Sequence, residues 1–359
     1  MFINNIAIIG LGLIGGSIAK SIKQSNPNLK ISAYDYSEVL EKAIADKSVD
    51  VALTSYKDAL DYDLIFIALP IEESVSVFNE LAPLLNEKQI ISDLCSVKGV
   101  FANAWQKISS KGCYIGAHPM AGKEKGGYES SDGLLFENSV FIISDYSKKY
   151  LLLNDYTNLV KTIGARVTFL NPYLHDKILA KVSHLPQLLS VILVNQAAVN
   201  KDGINFLDYG AGGFRDMTRI ASSDFAIWES IITANRVEIL DSLAVFKDNV
   251  DGMIAMIKEN DLSDISSEFN KARIAREEIP FNNKGFLSPL FDITIFLEDK
   301  PGIISKLSTI LFENNINIKD LELLKIREGS GGNFKLYFET EENAKTAKLL
   351  LEQSGFKSS

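Results

Sequence analysis

Four groups of side chains in this sequence have reactive or ligand-binding potential. The first is the turn Gly10-Leu-Gly12-Leu13-Ile14-Gly15-Gly16, followed twenty positions after Gly15 by Asp35. Gly10 permits a tight turn, Gly12 lets a pyrophosphate approach the backbone, and Gly15 lets a helix pack closely on a strand. Leu13 and Ile14 open that helix, so its N–H groups and positive dipole end face the phosphates. The Asp35 carboxylate stands where it can accept both ribose hydroxyl protons. It would repel a 2′-phosphate, and Tyr36 and Ser37 supply no cation to hold one. The reading is a dinucleotide site that prefers NAD to NADP.

The second group is the histidines, of which the chain has three. His118 lies in the polar, glycine-rich stretch Gly116 to Gly127, directly after a strand-like run. An imidazole, with an unperturbed pKa of about 6.5, is a usable base near neutral pH. A loop histidine satisfied by backbone is the alternative. His184, in Ser183-His-Leu-Pro-Gln187, sits inside an apolar helical pattern, where a buried structural group and a site residue are both open readings. His175 stands beside Asp176 and is expected to cap or orient the helix. The three are too far apart in sequence for a helical metal pair, and no metal is expected.

Ser96, in Asp93-Leu-Cys-Ser96-Val-Lys98-Gly99, could cap the helix that follows or hydrogen-bond a substrate hydroxyl near the nicotinamide. The fourth group is Arg215 and Arg219, spaced i, i+4 after Gly210-Ala-Gly-Gly. On a helix they share a face and suit a carboxylate, against the plainer reading of a solvated stripe.

These groups need a scaffold. Ile3 to Ile9 is an apolar, β-branched run, as a buried parallel strand should be, and Ile14 to Ile22 has helical spacing. Lys30 to Tyr34, Asp63 to Ala68, Gln89 to Ser92, Val140 to Ile143 and Arg166 to Leu170 read as strands, with helices between them. That alternation predicts a Rossmann-type, doubly wound α/β domain over residues 1–171, with ligands at the strand carboxyl ends, Leu69-Pro70 among them. Residues 172–280 read as an all-helical domain. Within it, Ile178 to Asn200 is apolar nearly all round, the pattern of a helix buried on several sides and in contact with a second subunit. Pro280 to Pro289 reads as a linker. Residues 290–359 follow the order βαββαβ with a short or missing last strand, hence a ferredoxin-like α+β domain.

Composition narrows the function classes. The chain has 359 residues and a net charge of −9, which argues against nucleic acid or an anionic membrane as partner. Cys95 and Cys113 are the only cysteines and lack metal-ligand spacing, so a cytoplasmic protein is expected. No apolar run is expected to reach the roughly 20 residues of a membrane span.

In combination and order, these motifs resemble the prephenate dehydrogenase family of the tyrosine pathway. The markers are Gly-Leu-Gly-Leu-Ile-Gly-Gly-Ser at 10–17, Ser96-Val-Lys98-Gly, Gly116-Ala-His-Pro with Gly122-Lys-Glu, Ser183-His-Leu-Pro, and Gly212-Gly-Phe-Arg-Asp-Met-Thr-Arg219-Ile-Ala. Asp299-Lys-Pro-Gly-Ile resembles the start of an ACT domain, a module that commonly binds amino acids. The resemblance implies oxidation of prephenate by NAD to 4-hydroxyphenylpyruvate, carbon dioxide and NADH. His118 would take the ring hydroxyl proton, Ser96 would share that hydroxyl, Arg219 would clamp a carboxylate and Arg215 would add charge. His184 and Gln187 would line the substrate site. Lys123 and Glu124 match a gating pair, and Trp228 a residue reaching in from a partner in a homodimer. Gln187 departs from the family, in which many members carry histidine there, so arogenate stays open as substrate. Tyrosine is the expected effector of the ACT-like domain. The competing readings are a β-hydroxyacid dehydrogenase using Lys177, Lys181 or Lys201, and a non-catalytic sensor of NAD and amino acids.

Overall fold

The computed structural model describes residues 3–123, 125–278, 290–327 and 330–358. The linker expected over Pro280 to Pro289 lies outside the described residues. Two compact units are present, Met1–Ala272 and Arg273–Ser359.

The first unit begins with a six-stranded parallel sheet, ordered β3-β2-β1-β4-β5-β6. Its strands are β1 (Asn5–Ile9), β2 (Lys30–Tyr34), β3 (Val51–Ala52), β4 (Leu64–Ile67), β5 (Ile90–Asp93) and β6 (Cys113–Tyr114). Helices α1 (Leu13–Ser25), α2 (Ser37–Ala45), α3 (Ile71–Leu81) and α4 (Gly99–Lys107) cross over between them. The β-branched runs are unbroken because both faces of the sheet are covered. Ile6, Ile8, Leu64 and Phe66 enter one core, with Ile18, Ile22 and Tyr156. Ala7, Ile9, Ile65 and Ile67 enter the other, with Phe78 and Phe101.

The parallel sheet does not continue as far as the alternation of elements suggested. A separate three-stranded sheet holds β7 (Ala117–Pro119), β8 (Val140–Ser144) and β9 (Arg166–Leu170), with β7 antiparallel to β8 and α5 (Leu153–Thr162) between β8 and β9. Gly116 marks the break: a Cβ there would stand 2.5 Å from the Tyr114 hydroxyl.

Helices α6 (Pro172–Leu179) and α7 (Leu185–Ala197) form one run interrupted by a π-helical turn at Ala180–His184. Pro186 has no N–H for the carbonyl of residue 182, and Leu185 N–H reaches back to the Ala180 carbonyl instead, five residues away. A short hairpin of β10 (Asn200–Lys201) and β11 (Ile204–Asn205) follows. Then come α8 (Gly212–Thr218), α9 (Phe225–Ala234), α10 (Arg236–Glu259) and α11 (Leu262–Glu278).

The structure corrects one expectation here. The α6–α7 run is long and apolar enough, by length and composition, to cross a membrane. Within the single chain its apolar side chains are partly exposed, Val182 by 64 % and Ile192 by 52 %, whereas the polar His184, Gln187 and Ser190 are buried. Those buried groups are hydrogen-bonded within the chain, and a bilayer would penalise them. The apolar surface instead fits a protein partner.

The second unit holds β12 (Phe291–Leu297), α12 (Ile303–Glu313), β13 (Asp320–Arg327), β14 (Gly331–Phe338), α13 (Glu341–Gln353) and a two-residue β15 (Lys357–Ser358). The antiparallel order β13-β14-β12-β15 is the expected ferredoxin-like sheet. Ile295, Leu297, Leu307, Leu336, Phe338 and Leu351 form its core. Gly331 has φ +122°, and a Cβ there would lie 2.1 Å from the Leu297 carbonyl oxygen, so glycine at 331 is a packing requirement.

Candidate active site

At the switch point between β1 and β4, three glycines do three different things. Gly10 has φ +95°, and a Cβ on it would stand 2.7 Å from the Ala68 carbonyl oxygen and 3.0 Å from Leu69 Cδ2. A Cβ on Gly15 would stand 1.9 Å from the Gly10 carbonyl oxygen. Both are demanded by the chain's own packing. A Cβ on Gly12 would meet nothing within 4 Å. Gly12 therefore borders open space at the start of α1, where a pyrophosphate fits against free amides. No acidic side chain stands in the first turn of α1, and no side chain caps it.

Asp35 closes this site. Its Oδ2 accepts from Leu11 N–H at 2.5 Å and its Oδ1 from Tyr36 N–H at 2.6 Å. The carboxylate thus braces the glycine turn, and each oxygen keeps lone-pair capacity for a ribose hydroxyl. Leu69 is half-buried and Pro70 exposed, both just beyond the carboxyl end of β4. These residues fit NAD.

The second part of the site is a chain of three side chains. Asp176 Oδ1 lies 2.8 Å from His175 Nδ1, and His175 Nε2 lies 2.8 Å from His118 Nδ1. A carboxylate only accepts, so Nδ1 of His175 carries its proton and Nε2 must accept. His118 then donates from Nδ1, and its Nε2 holds a lone pair. Burial pushes His118 well below its ordinary pKa of 6.5, with His175, Lys98 and His184 acting in the same direction. His118 is therefore a neutral imidazole with its basic nitrogen unused by the relay.

The charge behind the relay is also held from outside. Asp176 Oδ1 accepts from Lys98 N–H and Oδ2 from Gly99 N–H, each at 2.7 Å. Asp176 thereby caps α4, which removes the reading in which Ser96 does so. Ser96 remains half-buried in the loop between β5 and α4. Beneath it, the Lys98 ammonium is hydrogen-bonded to Asp93, which also accepts from Tyr114 Oη at 2.7 Å. Both charges are fully buried, and burial raises the Asp93 carboxyl against the pull of Lys98.

His184 faces the same region. Its ring meets Trp228 edge-on at 5.9 Å, and burial pushes its pKa down to about 4. Trp228 belongs to the same chain, packed with α9 on the second core, so it reaches His184 without a partner. Gln187 Nε2 donates to the Ile220 carbonyl at 2.9 Å, tying α7 to the turn after Arg219. Arg215 and Arg219 are exposed, and α8 ends at Thr218, so Arg219 opens a tighter turn over Arg219–Ser222. Lys123 pairs with Asp132 at 3.0 Å and donates to the Ser130 carbonyl. Glu124 lies outside the described residues. His175 does not cap its helix. Asn171 does, accepting from Tyr173 and Leu174 N–H.

Sequence reasoning passed over His175 and Asp176 as relay members, and Asn235 altogether. The adjacency His175-Asp176 was visible, but nothing local said that β7 would bring His118 onto it. Among the described residues no cluster of metal-ligating side chains occurs.

Comparison with known proteins agrees with this geometry. Residues 18–169 match the family "Prephenate dehydrogenase, nucleotide-binding domain", 171–271 "Prephenate dehydrogenase, dimerization domain", and 291–353 "ACT domain". Prephenate dehydrogenase of Bacillus subtilis is 30% identical over 97% of this chain and 96% of its own length. The structure of Aquifex aeolicus prephenate dehydrogenase with hydroxyphenyl propionate and NAD+ superposes with a TM-score of 0.70 at 28% identity, covering 77% of this chain and 98% of that one. Synechocystis arogenate dehydrogenase gives 0.68 at 25% identity, covering 77% and 100%.

Proposed function

The chain belongs to the prephenate dehydrogenase family, and on that premise we propose that it oxidatively decarboxylates prephenate to 4-hydroxyphenylpyruvate with His118 as base. Bound NAD supplies the hydride acceptor. The glycine turn and Asp35 hold it across the β1–β4 switch point. His118 Nε2 takes the proton of the ring hydroxyl as hydride leaves the same carbon. The C–C bond to the ring carboxylate then breaks, its electrons entering the ring and releasing carbon dioxide. Aromatisation drives the step, so the protein needs chiefly positioning and a neutral base. The observation that carries the assignment is the directional relay from Asp176 through His175, which leaves the His118 lone pair at Nε2. As His118 becomes cationic, His175 and Asp176 stabilise the charge.

Ser96 shares the substrate hydroxyl, and Arg219 clamps a carboxylate with Arg215 adding charge. Lys123 guards the mouth. Gln187 supports a second reading. Its Nε2 is used by Ile220, so Oε1 is the atom it offers a ligand, and an acceptor suits the ammonium of arogenate. An NADH-formation assay with prephenate and arogenate side by side separates these. Turnover of prephenate is expected, and no NADH from either substrate would overturn the dehydrogenase reading.

Val182, Ile192, Phe225, Val237, Leu240 and Phe269 are more than half exposed, which supports a homodimer through the helical domain. In the second unit a cavity of about 460 Å³, lined by Lys300, Gly302, Ile303 and Phe334 among others, supports an amino-acid effector such as tyrosine. Buried, free Cys95 and Cys113 support a cytoplasmic location.

A further inference from the structure

Asn235 stands between α9 and α10 and is 4 % exposed. Its Nδ2 donates to the Asp176 main-chain carbonyl at 2.9 Å and lies 3.2 Å from His184 Nδ1. A carbonyl can only accept, so the amide group facing it must be the NH2, which settles which way the side chain is turned. The second proton of that NH2 points at His184 Nδ1, which must then be the acceptor. A neutral imidazole has one proton, and at His184 it is left on Nε2. The Trp228 ring lies edge-on against this imidazole, with ring centroids 5.9 Å apart.

We infer that Asn235 is a positioning residue that locks His184 as a hydrogen-bond donor at Nε2 and fastens the α9–α10 junction to the segment bearing His175 and Asp176. The inference rests on the reading of this region as the substrate site. It gives the two outer histidines opposite roles set by different neighbours. His175 makes His118 Nε2 an acceptor, and Asn235 makes His184 Nε2 a donor. A substrate oxygen can therefore be offered a proton by one ring while another of its groups yields a proton to the other. One side chain joins both rings, because the carbonyl it holds belongs to the residue whose carboxylate starts the relay.

The test is the tautomer itself. With histidine labelled by 15N in the ring, the full chain has three imidazoles to resolve, and loss of signals in His184→Gln identifies the one of interest. In the wild type, His184 is expected to show a pyridine-type Nδ1 and a pyrrole-type Nε2. A protonated Nδ1 would overturn the inference, and this measurement requires only the wild-type chain. Asn235→Asp has nearly the same shape but offers only oxygens, so the proton should move to Nδ1. kcat/KM should then fall roughly tenfold to hundredfold, as when a buried hydrogen bond loses a partner, with NAD affinity unchanged. Asn235→Ala should give mixed tautomers and a smaller loss. Variants that keep both the wild-type tautomer and wild-type kcat/KM would refute a positioning role. A wild-type chain that shows the Nε2–H form but oxidises neither substrate would uphold the lock and sink the dehydrogenase reading.

Discussion

At the β1–α1 turn, ligand-facing chemistry is made of main-chain amides and of side chains that are missing. Around His118 it is made of side chains alone, delivered by β7, α6, the π turn and α9. The first region comes from one strand–turn–helix unit plus Asp35, the residue that follows β2. The second gathers residues more than a hundred positions apart, from His118 to Asn235. A backbone site fails when an atom is added, and a side-chain site fails when one is removed. The largest test of this contrast is His118→Asn. Turnover should fall by roughly 10²–10⁴-fold while NAD affinity, measured by fluorescence titration, stays at its wild-type value. A parallel loss of both would mean that the two regions are not separable.

Arg219→Ala should come next in size. Loss of a charge-assisted hydrogen bond to a carboxylate is worth about 1.5–3 kcal/mol, hence a substrate KM raised on the order of tenfold to a hundredfold. Steady-state kinetics with varied substrate decide it, and an effect confined to the KM for NAD would reject the clamp.

The glycine turn should respond to additions, and differently at two positions. Gly15→Ala drives a methyl to within 1.9 Å of the Gly10 carbonyl oxygen, so it should destabilise the fold by roughly 1–3 kcal/mol and lower Tm. Gly12→Ala meets no protein atom. It should leave Tm unchanged and weaken NAD binding, because the methyl occupies the approach of the pyrophosphate. Thermal unfolding with and without NAD separates the two. An equal drop in Tm for both would show that Gly12 is there for packing.

The same contrast explains what was legible in the sequence. The glycine turn, its helix and Asp35 could be placed because their geometry is local and period-coded, and the parallel strands announce themselves as β-branched runs. His118 was found because its loop follows a strand end. Its partners were not, since a contact across 57 residues leaves no local trace. Ser96 as helix cap failed because a distant carboxylate, Asp176, took the two amides first. The apolar α6–α7 run is largely exposed within one chain, and hydropathy alone does not distinguish a core helix from one read as a subunit contact. The π turn followed from Pro186, a signal that was present.

Acid should distinguish the two regions by stability. All three histidines lie in the side-chain region around His118, and all have folded-state pKa values below the ordinary 6.5. A depressed value means that the unfolded chain takes up protons first as pH falls. The contribution of these groups to stability is therefore complete above about pH 7 and is lost between the unfolded value and the folded one. For His184 the window runs from 6.5 down to about 4. Moving from pH 7 to pH 5 should cost about 1–2 kcal/mol through this residue. Exposed carboxylates held low, such as Asp58, lose their contribution only at more acid pH. Asp93, raised by burial, acts with the opposite sign, so wild type and His184→Gln must be compared at each pH. Urea midpoints for the two should diverge less at pH 5 than at pH 7. If the gap between them does not change with pH, His184 is not buried in neutral form, and the donor role assigned to its Nε2 loses its basis.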